Sequence, residues 1–176
     1  MSFGGDIDDL KNLRVQKEKF RTCINSIRLK VKDIWDNTLL DHYTKHDIDH
    51  SNRIIRYIDK ILECGNCTLN EDERFILLAA AYLHDIGMQF PTYADLPRKN
   101  KDEYTREEKE MVREKHHEIS AKVILESVKP NSKISLGLEE CREIYPDLIA
   151  TVSKYHRKLP LDSEELQDMP VETGKK

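Results

Sequence analysis

One stretch constrains this chain more than any other. It is Phe75-Ile76-Leu77-Leu78-Ala79-Ala80-Ala81-Tyr82-Leu83, a run without a single charge, followed at once by His84-Asp85-Ile86-Gly87. In a sequence that is 35% charged, such a run reads as a helix that is apolar on every side and therefore sits in the middle of a core. Asn70 supplies its N-cap, and Glu71, Asp72 and Glu73 place negative charge in the first turn, where the helix dipole favours it. A buried carboxylate at the far end is costly unless it is paired or bound to a cation, and the imidazole beside it points to a metal. The competing reading is a plain helix terminus, with a histidine favoured by the dipole and Gly87 as the C-terminal cap.

The flanking sequence is helical in pattern throughout. Ile7, Leu10, Leu13, Phe20, Ile24, Ile27, Val31 and Ile34 recur at helical spacing and predict one long amphipathic helix from Ile7 to Trp35. Its other face mixes Lys and Arg with Asp and Glu, which suits a solvated surface better than a nucleic-acid one. Asp47 or Asp49 caps a helix that carries Ile54, Ile55, Ile58, Ile61 and Leu62 and ends at Cys64-Gly65, so His50 falls in its first turn. His42 and His46 precede it at intervals of four, a ladder able to bind metal if that polar segment is helical and idle if it is loop.

Thr105 and Glu108 form a capping box for a helix reaching about Val128, with Val112, Ile119, Val123 and Ile124 buried and His116 near that stripe. Pro146 opens a last helix that ends at Tyr155-His156. Residues 88–104 contain Pro91 and Pro97 and form a long irregular stretch directly after His84-Asp85. It is a candidate lid whose Arg98, Lys99 and Lys101 would meet a phosphate; the alternative is solvated loop charge. Cys64-Gly65-Asn66-Cys67 has the spacing of a zinc or redox pair but lacks a second pair of ligands, and it reads as a turn between helices. There is no strand pattern, internal repeat or Gly-rich phosphate loop.

With 176 residues and 38% hydrophobic content the chain suits one compact domain. A net charge of −4 and a pI near 6.0 give no global attraction to nucleic acid or anionic membrane, so any phosphate recognition must be local. No apolar run approaches the roughly 20 residues that span a bilayer, and the polar N-terminus lacks a signal-peptide core. The chain therefore reads as cytoplasmic, without a membrane partner. Its cysteines, Cys23, Cys64, Cys67 and Cys141, are expected as reduced thiols.

His50, His84 with Asp85, His116 and His156 fall on four successive predicted helices, each near a helix end or a buried stripe. A helical bundle builds metal sites from facing helices in this way. Imidazole with carboxylate suits Mn, Fe, Zn, Co or Ni rather than calcium. An ion so held makes hydroxide available at neutral pH and polarises a phosphoryl oxygen. A plain helical interaction domain would instead hold no metal.

The strings His50-Ser51-Asn52-Arg53-Ile54, Leu83-His84-Asp85-Ile86-Gly87 and His116-His117-Glu118-Ile119-Ser120-Ala121-Lys122-Val123-Ile124-Leu125 resemble the successive motifs of the HD-domain metal-dependent phosphohydrolases, over roughly residues 40–157. The resemblance implies an all-α bundle of about five to seven helices and a divalent metal cofactor of one or two ions. His50, His84 and Asp85 become core ligands, Asp85 the bridge if two ions bind, and His84 with Asp85 the catalytic pair. The His116 segment is similar to the His-Pro-x-x-Gly-x-x-x-Leu stretch of the HD-GYP branch, which implies that His116 is a further ligand, with His117 at the proline position. His156 falls where that branch has a His-His pair and is implied as the last ligand.

The implied activity is hydrolysis of a nucleotide or other phosphate ester through a metal-bound hydroxide. Met88 stands where the family often has lysine, and no Gly-Tyr-Pro follows His156, which argues against a cyclic dinucleotide. Tyr43-Thr44-x-His46-Asp47-x-Asp49-His50-Ser51, with Arg113-x-x-His116-His117-x-x-Ser120-Ala121, looks most like HD domains N-terminal to GHKL-type ATPase modules. The alternative function is accordingly a non-catalytic metal- or nucleotide-binding regulatory module with an attached ATPase domain. The family's closing aspartate has no good counterpart: Asp162 and Asp168 lie in a proline-bounded acidic segment and Asp147 at a helix start. The expected organisation is an N-terminal helix over 1–36, the HD-type domain over 37–158, and 159–176 as a polar tail or the start of a missing part, with uncovered apolar surface inviting a homodimer.

Overall fold

In the computed structural model, which describes residues 9–38 and 47–157, the apolar run is helix α3 (Glu71–Leu83) and lies at the centre of the molecule. Phe75, Leu78, Ala79 and Leu83 are wholly buried. Helix α1 (Glu18–Asp36) lies across it through Phe20, Ile24, Ile27 and Val31, and Phe20 stacks on Phe75 with ring centres 4.5 Å apart. Helices α2 (Ile48–Cys64) and α5 (Pro146–Lys154) pack against α3, and α4 (Arg106–Ser127) packs against α5 and the 3₁₀ turn Ile86–Gln89. No strand occurs among the described residues, and the fold is an all-α bundle of the HD type. No described helix is long and apolar enough to cross a membrane.

Helix starts follow the capping chemistry of the sequence. The Asp47 carboxylate accepts the His50 N–H at 2.9 Å, Asn70 and Glu73 form a reciprocal capping box, as do Thr105 and Glu108, and Pro146 opens α5. His42, His46, Asp162 and Asp168 lie outside the described residues.

The single helix expected from Ile7 to Trp35 is corrected. From Asp9 to Lys17 the described chain is not α-helical, because carboxylates from other elements take its backbone donors. Asp59 on α2 accepts the N–H groups of Lys11 (3.2 Å), Asn12 (2.7 Å) and Leu13 (2.8 Å), and Glu71 on α3 accepts those of Gln16 (2.9 Å) and Lys17 (3.2 Å). Leu13 and Val15 still reach the core. Of the positions the apolar spacing picked out here, Leu13 is buried, Leu10 is half-buried and Ile7 lies outside the described residues, whereas Val15 was not part of that pattern; the conformation was decided elsewhere. Asp59→Ala is expected to lower stability by about 3 kcal/mol, since it removes the shared acceptor of three backbone donors, of which the Leu13 N–H is buried. Urea unfolding within 1 kcal/mol (roughly the net worth of a single hydrogen bond) of the unaltered chain would count against this latch.

The expectation of four reduced thiols is corrected as well. Cys23 on α1 and Cys141, in the turn Glu139–Cys141, are joined as a disulfide with Cα atoms 6.3 Å apart, while Cys64 and Cys67 are free and exposed. The chain that follows α4 returns to the buried face of α1 and sets Cys141 opposite Cys23, a contact between residues separated by 118 positions that spacing could not reveal. Cysteine usage therefore no longer argues for a reducing compartment.

Candidate metal centre

Four helices deliver one histidine each to a single carboxylate. His50 comes from the first turn of α2, His84 from the end of α3, His116 from the middle of α4, and His156 from just beyond α5. Asp85 leaves α3 with φ −101° and ψ 2° and turns its carboxylate between them. Oδ2 lies 2.9 Å from His84 Nε2 and 3.5 Å from His50 Nε2; Oδ1 lies 3.0 Å from His116 Nε2 and 3.3 Å from His156 Nε2. Burial raises the Asp85 carboxyl pKa, but hydrogen bonds from His116, His156, His50 and His84 outweigh it and hold the group well below the usual carboxylate range.

The tautomers follow from the backbone. His84 Nδ1 faces the carbonyl of Ala81 at 3.0 Å, His156 Nδ1 that of Ser153 at 2.6 Å, and His116 Nδ1 that of Arg113. A carbonyl oxygen only accepts, so each Nδ1 carries a hydrogen; an Nε2 that also carries one donates it to Asp85, while the Nε2 of a neutral ring turns a lone pair inward, free to bind a cation. His116 Nε2 and His156 Nε2 are 2.9 Å apart. Two such lone pairs repel unless a cation or a proton lies between them, and a backbone carbonyl on the remote nitrogen is how ligating histidines are commonly held.

The ligand atoms fall into two sets, His50, His84 and Asp85, and Asp85, His116 and His156, each with its atoms within 4.8 Å of one another. Each set offers two imidazoles and one carboxylate oxygen, a donor set that fits a divalent transition metal and leaves coordination positions open. Residues of both sets would share Asp85.

Helix α4 aligns the turn that bears these ligands. Ser120 is fully buried; its hydroxyl donates to the His84 carbonyl at 2.7 Å and accepts the Gly87 N–H at 2.8 Å. Gly87 is needed because a Cβ there would stand 2.2 Å from the His116 carbonyl oxygen and 2.6 Å from Ser120 N. Both residues lie in the quoted motifs, yet nothing in their spacing announced that one helix backbone rests on the other element's glycine. His117 is also buried beside the cluster, its ring centre 6.4 Å from that of His156 and its Nδ1 without a hydrogen-bond partner. Burial and the neighbouring His116 lower its pKa.

A cleft of about 550 Å³ opens onto the cluster. Its walls are Ile54, Ile58, Leu77, Val152 and Tyr155, with His50, His84, Asp85 and His156 at the base. Arg98, Lys99 and Lys101 are not brought to it. Their loop is pinned elsewhere: the Tyr104 hydroxyl accepts the Lys99 N–H at 3.0 Å and donates to the Pro97 carbonyl at 3.2 Å, and Lys99 Nζ pairs with Glu108 at 2.6 Å. The stretch expected to be an irregular lid is instead ordered by 3₁₀ turns at Ile86–Gln89, Pro91–Ala94 and Lys101–Glu103, the first of them buried. Asp147 stands exposed at the start of α5 and belongs to neither ligand set. The free Cys64 and Cys67 join no ligand group among the described residues.

Comparison with curated proteins and with solved structures finds no match. A family model described as HD-CE matches residues 40–175, more than three quarters of the sequence and all four histidines with Asp85. The chain belongs to the HD-CE family.

Proposed function

We propose that this protein is a metal-dependent phosphohydrolase acting on a nucleotide or another phosphate ester with an apolar body. The observation that carries the reading is the convergence of Nε2 atoms from four helices on the two oxygens of Asp85, with three remote nitrogens held by backbone carbonyls. A divalent cation in such a site supplies Lewis acidity toward a phosphoryl oxygen and an activated water at neutral pH. His50, His84 and Asp85 would hold one ion and Asp85, His116 and His156 a second. The chain's own contribution is orientation: Ser120 fixes the His84–Gly87 turn, and Ile54, Ile58, Leu77 and Val152 exclude water from one side of the cleft and accept an apolar substrate group.

One observation favours a second reading, a regulatory HD module attached to a GHKL-type ATPase. No Lys or Arg is among the described residues lining the cleft, so no side-chain cation there steadies a phosphate. Metal analysis of the purified chain, followed by a phosphomonoester and nucleotide screen with added manganese, separates the two. Bound metal with turnover abolished by EDTA is expected; bound metal without turnover on any nucleotide supports the regulatory module, and absence of metal at any pH near neutral defeats the phosphohydrolase.

A further inference from the structure

Arg98, Lys99 and Lys101 line a cavity of their own, about 880 Å³, together with Lys133. It shares no lining residue with the cleft at the histidine cluster. Four cations around one cavity stand out in a chain whose net charge is −4. Asp102 is the one acid among the described lining residues. Lys99 is neutralised by Glu108, but Arg98 and Lys133 are exposed and enter no ion pair among the described residues. Uncompensated positive charge thus faces the cavity.

The same cavity has aromatic walls. Phe90 and Tyr93 meet edge to face with ring centres 6.3 Å apart, and Tyr104 is buried under Lys99, whose Nζ lies 5.7 Å from its ring centre. The walls are held in place: Tyr104 ties Pro97 to Lys99, Asn100 and Glu103 cap the turn Lys101–Glu103, and Gln89 bonds to Thr38 at 3.1 Å. Inorganic phosphate would occupy a small part of this volume and leave the rings unused, whereas an uncharged aromatic would leave the cations unused. A ligand with both an aromatic plane and several negative charges uses each, and the volume is in the range of small-molecule sites.

We propose that this cavity is a second ligand site, separate from the histidine cluster, that takes a nucleoside di- or triphosphate. The phosphates meet Arg98, Lys101 and Lys133, and the base lies against Phe90 and Tyr93. Gln89 lines the cavity and closes the turn that begins next to Asp85, so the site adjoins the element bearing the ligands without reaching them.

The test is calorimetric titration of the full chain in EDTA with ATP, GTP, pyrophosphate and adenosine. Working without metal keeps the result apart from the phosphohydrolase reading, which can fail while this site stands. One nucleotide per chain is expected, with pyrophosphate and adenosine each binding at least about ten-fold more weakly, because each uses half of the site. Arg98→Glu with Lys133→Glu is expected to weaken nucleotide binding by about ten-fold or more. Tyr93→Ala is expected to weaken ATP but not pyrophosphate. Both charge reversals are at exposed positions, and an unchanged thermal midpoint verifies the fold; the glutamine pair serves if the glutamates misfold. No saturable binding of either nucleotide at millimolar concentration overturns the proposal, as does binding that survives the charge reversals or pyrophosphate binding as tightly as ATP.

Discussion

Replacing Asp85 by alanine is expected to empty both ligand sets at once. Its Oδ2 serves the His50 and His84 side and its Oδ1 the His116 and His156 side, so no other single residue is common to the two. Loss of a supporting partner around a metal typically costs 10–100-fold in affinity, and loss of the shared ligand is expected to exceed about 100-fold. The expected result is metal content near zero by elemental analysis and loss of any manganese-dependent phosphatase activity. Single-sided variants supply the contrast. His50→Ala should disturb the set with His84 and leave Asp85, His116 and His156 able to hold an ion; His156→Ala should do the reverse. Equal metal loss in all three variants would replace the two-set arrangement with a single shared ion, and full metal content in Asp85→Ala would remove the site altogether.

The sequence made the site more legible than the scaffold around it. His50, His84, Asp85 and His116 each followed a readable local signal, a cap, an apolar run or a buried stripe, and the resemblance joined them with His156 into one centre. The bundle brings all five together because α3, apolar on every side, forces its neighbours to surround it. What failed were features decided by long-range partners. The segment before α1 shows helical spacing, but Asp59 and Glu71 capture its donors. Cys23 and Cys141 are too far apart in sequence for their meeting to be read from spacing. Arg98, Lys99 and Lys101 follow closely after His84-Asp85 in the chain, yet Tyr104 and Glu108 hold their loop at a different cavity. Loop length, basic side chains and proximity in sequence were the grounds for assigning them to the cluster, and proximity is a weak one wherever a turn intervenes.

Gly87→Ala is expected to produce the second large effect, through backbone contact rather than lost chemistry. A Cβ would be 2.2 Å from the His116 carbonyl oxygen, 2.6 Å from Ser120 N and 2.9 Å from Ser120 Oγ. The first two are main-chain atoms in the middle of a 22-residue helix, so no rotamer change relieves the clash. Either α4 moves outward or the turn Ile86–Gln89 shifts, and both break the hydrogen bonds from Ser120 to His84 O and from Gly87 N to Ser120. Overpacking a core commonly costs 1–3 kcal/mol, and a contact between two backbones belongs at or above about 3. For a chain of this size that lowers the melting temperature by roughly 6–12 °C. The same displacement carries His116 away from Asp85, now 3.0 Å distant, so metal affinity should fall together with stability. Ser120→Ala removes the two hydrogen bonds without pushing the elements apart, and a smaller loss of about 1–3 kcal/mol is expected. Thermal unfolding and metal titration of the two variants side by side check the mechanism: if Gly87→Ala melts no lower than Ser120→Ala and keeps full metal affinity, α4 does not rest on Gly87 as tightly as these distances require.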